Sequence, residues 1–139
     1  MRNALQKTAY GIVVASDLPP DEAVERVKAL LKDEGFGVLC EIDVGKTLHE
    51  KLGKDFRPYR ILGACNPALA YQALSVDPQL GLLLPCNVVV QSQDGKTVVS
   101  AIDAAKMLDI VGNPDLADVA QDANARLSAV IENIGAVGI

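Results

Sequence analysis

The chain has 139 residues, half of them apolar, with no Trp and 4% aromatics. It has the length for one domain, residues 1–139, built on an aliphatic core, and its composition excludes intrinsic disorder. A formal net charge of −5 excludes nucleic acid as an expected partner, because an acidic surface repels phosphate backbones.

Tyr10–Ala15 is rich in β-branched residues and reads as a first strand. Leu18-Pro19-Pro20-Asp21-Glu22 then announces a helix: proline suits the first turn and the acids complement the positive helix end. Val24, Val27, Leu30 and Leu31 form its buried stripe, and Gly35 closes it. Val38–Val44 alternates, which predicts a strand with Val38, Cys40, Ile42 and Val44 facing the core. Lys46–Leu52 predicts a short helix stopped by Gly53. Tyr59–Cys65 reads as the third strand.

Asn66-Pro67 is a helix start, with Asn as cap and Pro in the first turn, and that helix ends before Pro78. Leu82–Gln91 is expected as a fourth strand, in which Pro85 requires a bulge or an edge position. Gln93-Asp94-Gly95-Lys96 is a hairpin turn leading to a strand over Thr97–Ile102. Asp103 caps a short helix through Leu108. Gly112-Asn113-Pro114-Asp115 separates it from a last helix, whose stripe runs from Leu116 to Ile134 and which Gly135 ends. The order is β-α-β-α-β-α-β-β-α-α. The hairpin requires an antiparallel pair, so the fold class is α+β.

The longest apolar run, Gly81–Val90, is broken by Pro85 and Asn87. It is about half of the roughly 20 residues a spanning helix needs, so no membrane is expected as a partner. Met1–Lys7 lacks the apolar stretch of a leader. The expected location is the cytoplasm, where three cysteines remain reduced thiols.

The residues with most chemistry lie in two Cys-Asn dipeptides, Cys65-Asn66-Pro67 and Pro85-Cys86-Asn87. Cys65 ends a strand one residue before a helix cap. There the free N–H groups favour a thiolate or an anion, so Cys65 reads as a nucleophile, a redox thiol, a metal ligand or a small core residue. Cys86 can join it if the chain turns the two together. Asn66 reads first as a helix cap, and Asn87 as an amide that needs a partner or faces a ligand. Cys40 is expected in the core. His49 is the single histidine, on a polar segment, and reads as a surface residue. Lys46, Lys51, Lys54, Arg57 and Arg60 form a basic stretch, read as a solvated face. Gly45-Lys46-Thr47 resembles the end of a phosphate loop, but Cys40 stands where that motif requires glycine.

Arg60–Pro67 and Gly81–Val90, with the opening Tyr10–Val14 and the closing helix, resemble the family called domain of unknown function 302, over about residues 5–135. The resemblance implies a TATA-box-binding-protein-like fold, a curved antiparallel sheet of about five strands with helices packed on one face. It also implies a homodimer. It brings no agreed catalytic residues, and whether the protein is an enzyme stays open. Two functions are expected. One is a binding module for a small molecule, anion or soft metal near Cys65, Asn66, Cys86 and Asn87. The other is a thiol-dependent redox or sulfur-handling protein, with Cys65 reactive and Cys86 resolving.

Overall fold

Alternating side chains sort the sheet into two faces. Ile12, Val14, Leu62, Val88, Val90 and Val99 are buried on one of them. In the computed structural model, which describes residues 5–136, the sheet has six strands. They are β1 (Gln6–Lys7), β2 (Gly11–Ser16), β3 (Gly37–Asp43), β4 (Tyr59–Cys65), β5 (Cys86–Gln93) and β6 (Lys96–Ile102). Every pair is antiparallel and the order is β1-β2-β6-β5-β4-β3. The helices are α1 (Pro20–Asp33), α2 (Val44–Leu52), α3 (Pro67–Val76), α4 (Ala104–Asp109) and α5 (Ala117–Ala136). Two 3-10 turns, Pro78–Leu83 and Pro114–Leu116, complete the chain.

The helix stripes supply the other half of the core. Val24, Val27 and Leu31 of α1 and Leu127, Val130 and Ile131 of α5 are buried together with the inner sheet face. Each such side chain stabilises by about 1.5–3 kcal/mol relative to exposure. On the outer face, Val13, Ala15, Ile61, Val89 and Val98 are half-buried.

The local signals at element ends have identifiable causes. Asp43, Asn66 and Asp103 cap α2, α3 and α4 by accepting backbone N–H groups at 2.9, 3.2 and 3.1 Å. The β5–β6 hairpin turns through Asp94 and Gly95, both with positive φ (52° and 78°), which the right-handed strand twist favours.

The structure departs from the sequence expectations in several places. β3 ends at Asp43, which caps α2, so that Val44, expected on the core face of the strand, is the first residue of that helix. β1 was not expected, because two exposed residues carry no periodicity. The fourth strand begins at Cys86 and not at Leu82. Asp77 accepts the Gln79 N–H at 2.9 Å and starts a 3-10 turn through Leu83, and Pro85, which has no N–H for the ladder, precedes the strand. The Leu84–Pro85 bond is cis. The last helix begins after a 3-10 turn and runs through Gly135 to Ala136. Finally, the irregularity expected at Pro85 lies in β3, between Val38 and Cys40.

That bulge corrects the reading of Cys40. Val38 pairs with Ala64 and packs against the core, but Leu39 is an extra residue, and Cys40 pairs with Gly63. The alternation therefore changes phase, so that Cys40 and Ile42 share the outer face with Gly63 and Ile61 and are exposed. Bulges of this kind are common on edge strands, which β3 is. Of the N-terminal segment read for a leader, Met1–Ala4 lies outside the described residues.

Candidate functional site: an apolar cavity beside two thiols

β4 ends at Cys65, and Asn66 turns the chain into α3, whose Pro67 occupies the first helical position. The 3-10 turn brings Gly81 and Leu84 back over α3, and β5 then starts at Cys86 opposite Ala64. Between this corner and α4 and α5 lies a cavity of about 310 Å³. It exists because small residues line it: Ala64, Ala70, Ala73, Ala104 and Ala123 leave volume that larger side chains would fill. Phe36, Leu69, Met107 and Leu108 complete its apolar wall, and Leu39, 70% exposed, stands at its edge. No charged side chain lines it.

Asn66, Cys65 and Cys86 are the lining residues with polar side-chain atoms. Asn66 is 9% exposed, and its Oδ1 accepts the Leu69 N–H. Its Nδ2 donates to no acceptor among the described residues and lies on the Gly35 side of the side chain. Gly35 gives this amide room, since a Cβ there would stand 3.0 Å from Nδ2.

Cys86 is buried, and Cys65 is half-buried one residue beyond its ladder partner. Burial pushes the Cys86 thiol up to about 11, with the neighbouring Cys65 adding to the effect. Cys86 is therefore a neutral thiol near pH 7.

Asn87 does not join this group. It is exposed on the outer face, opposite Gly63, and lines a separate groove of about 490 Å³ with Tyr10, Leu83, Ile102, Lys106 and Ile110. Pro85 borders both spaces. Consecutive strand residues point to opposite faces, so Cys86 and Asn87 belong to different sites.

The model of domain of unknown function DUF302 matches residues 12–134. The chain belongs to the DUF302 family. It is also similar to the crystal structure of an uncharacterised conserved DUF302 protein from Bacillus stearothermophilus. The identity is 34%, 89% of this chain and 97% of that chain are covered, and the TM-score is 0.84. No curated protein matches.

In this DUF302 chain the remaining sequence signals lie apart from the cavity. His49 is exposed, with Nδ1 3.4 Å from an Asp55 carboxylate oxygen. Arg57 donates from Nε to Gln91 at 3.0 Å and sits 4.5 Å over the Phe56 ring. Arg60 pairs with Glu41 at 2.6 Å and Asp21 at 3.4 Å, so the basic stretch is partly neutralised. Among the described residues no three His, Cys, Asp or Glu side chains are grouped to hold a metal, and no helix is long and apolar enough to cross a membrane. Met107 and the wall alanines were not singled out from the sequence. Ala73 and Ala123 sit at core positions of their helices, and only the packing reveals that the space beside them is empty.

Proposed function

We propose that this DUF302 protein is a homodimeric, cytoplasmic binding module that holds a small molecule in the cavity beside Cys65, Asn66 and Cys86. The cavity carries the reading. At about 310 Å³ it is at the lower end of the range of small-molecule sites, and it combines apolar walls with few polar groups, as such sites do. The half-buried apolar residues of the outer sheet face support the homodimer, because a second copy would cover them.

The test is titration with the neutral fluorophore N-phenyl-1-naphthylamine, alongside the mass of the protein in solution. Saturable binding at one site per chain is expected, and Ala73→Phe, which fills the cavity, should abolish it while the dimer mass persists. Binding that survives the filling places the ligand elsewhere and overturns the reading. A monomer mass overturns the dimer alone.

The second reading is thiol chemistry, favoured by one observation: two thiols border one cavity. Cys65 would attack a disulfide substrate and expel one thiol, and Cys86 would displace the other. The substrate gains two electrons and two protons, and the protein pair becomes a disulfide. The high pKa of Cys86 slows the second step. Mass analysis after treatment with an oxidised aliphatic disulfide decides it. A loss of two hydrogens from the protein supports this reading, and persistent free thiols or a stable mixed disulfide at Cys65 overturn it.

A further inference from the structure

This inference rests on the binding reading and names the ligand class. We infer that the cavity takes the alkyl tail of a free amphiphile, about ten carbons at most, which enters tail-first and leaves its polar head in solvent.

The wall gives a ligand almost nothing polar to hold. Among the described residues no charged side chain lines the cavity. Asn66 adds no polar contact: its Oδ1 accepts the Leu69 N–H, and its Nδ2 lies toward Gly35, which is outside the lining. Cys86 is held as a neutral thiol, and thiols are weak hydrogen-bonding groups. A polar or charged group carried inside would lose its hydration with no partner to replace it. That argues against an anion within the cavity, and a soft metal finds no third His, Cys, Asp or Glu ligand among the described residues. A molecule that travels through water carries polar groups, so an apolar end enters and the polar part stays outside.

The cavity is open to entry of that kind. It reaches solvent where its lining residues are exposed: Leu39 on β3, Gly81 in the first 3-10 turn, and Leu74 on α3, 38% exposed. Asp77 is the single charged residue between Asn66 and Leu84, in a chain that is 22% charged. α3 and the 3-10 turn thus bring no cation to the rim, and their one carboxylate is engaged in capping Gln79. This part of the rim does not select a head group by charge. Phe36 is the one aromatic residue of the lining, so a ring would find little to stack on. A flexible chain can instead follow the gaps beside the five alanines. The volume of about 310 Å³ is that of roughly ten water-sized units, which limits the tail to about ten carbons. The tails of bilayer lipids are longer, which is why the source is a free, single-tailed amphiphile.

Calorimetric titration with two n-alkyl series of opposite head charge tests this: sulfonates and trimethylammonium salts, from pentyl to dodecyl, below their micelle concentrations and in salt that screens the net charge. Affinity is expected to rise about fourfold per methylene, the fold-change for burying one such group, and to level off near ten carbons with equal slopes in both series. Ala70→Leu puts about three carbons' volume into the cavity and should bring the plateau down to about seven carbons. Ala123→Val, which adds about two, should bring it to about eight and gives a second chain should the leucine variant fold poorly. A slope in one series only, a rise that continues through dodecyl, or a plateau unmoved in both variants overturns the inference, while binding of N-phenyl-1-naphthylamine keeps the binding reading. Stable retention of the protein on phosphatidylcholine vesicles overturns the free amphiphile as the source. Failure of both series and of the fluorophore to bind overturns both readings.

Discussion

The thiol of Cys40 lies over the Cα of Gly63: a Cβ built at Gly63 would stand 2.6 Å from Cys40 Sγ and 2.9 Å from Pro85 Cγ. Neither distance is tolerated by real side chains, and Pro85 cannot swing aside as a long flexible chain could. Gly63→Ala is therefore expected to cost about 1–3 kcal/mol, the usual effect of overpacking. Adding Cys40→Ala should recover part of the loss, since the proline contact remains. Urea midpoints of the single and double variants check this; an unchanged midpoint for Gly63→Ala would show that the outer face is not closed at this point.

Cys86 makes stability depend on pH on the alkaline side. Its folded-state value is raised to about 11, so the folded protein holds the proton more tightly than the unfolded chain. The contribution is complete below the ordinary thiol range and is lost as pH rises through the folded value. Between about pH 8.5 and pH 11 roughly 2–3 kcal/mol should disappear. Cys86→Ala should flatten that decline, which urea unfolding at pH 8 and pH 10.5 measures. Equal slopes in both proteins would refute the assignment.

Asn66 stabilises α3 through its side-chain oxygen. Asn66→Ala is expected to cost about 1 kcal/mol in thermal or urea unfolding, and Asn66→Asp only a fraction of that, because a carboxylate caps equally well. If alanine and aspartate are equally destabilising, the amide nitrogen and not the cap is what the helix corner requires.

Glu41 joins α1 to the sheet edge through Lys28 at 2.7 Å and Arg60 at 2.6 Å. Lys28 first, and then Arg60, hold its carboxyl below the usual range. The stabilisation is present above the ordinary glutamate value and is lost as pH falls through the lowered one. Since the Glu41 side chain is 28% exposed, solvent screens part of the effect, and Glu41→Gln should cost only about 1 kcal/mol at pH 7. The difference from wild type should shrink at pH 3 and in 1 M salt. A difference independent of both would mean that packing, not charge, is responsible.

The parts of the fold governed by neighbours in sequence were legible beforehand. Asn66-Pro67, Asp94-Gly95 and Asp103 acted as a helix start, a hairpin turn and a cap because each is a contact between a residue and its own backbone a few positions away. Cys40 was misplaced because a bulge depends on the strand alongside: Leu39 is extra only relative to the pairing of Val38 with Ala64 and Cys40 with Gly63. The separation of Cys86 from Asn87 follows from strand alternation, but it needed the true start of β5 to be seen. The cavity was not legible, since alanines at helix core positions look the same whether their neighbours meet or leave a gap.

The strand order also bears on how the chain is made. Gly11 of β2 sits opposite Ile102 of β6, and β2's other neighbour is the two-residue β1. On the ribosome the first long strand therefore waits, apolar and unpaired, until nearly the whole sheet has been synthesised. β3 and β4 can pair earlier, with α1 already made to pack on β3, but α5, which packs on β2 and β6, arrives last. Folding is thus deferred to the end of translation, and a nascent chain stalled before residue 97 would present strand edges to whatever chaperone or neighbouring chain it meets.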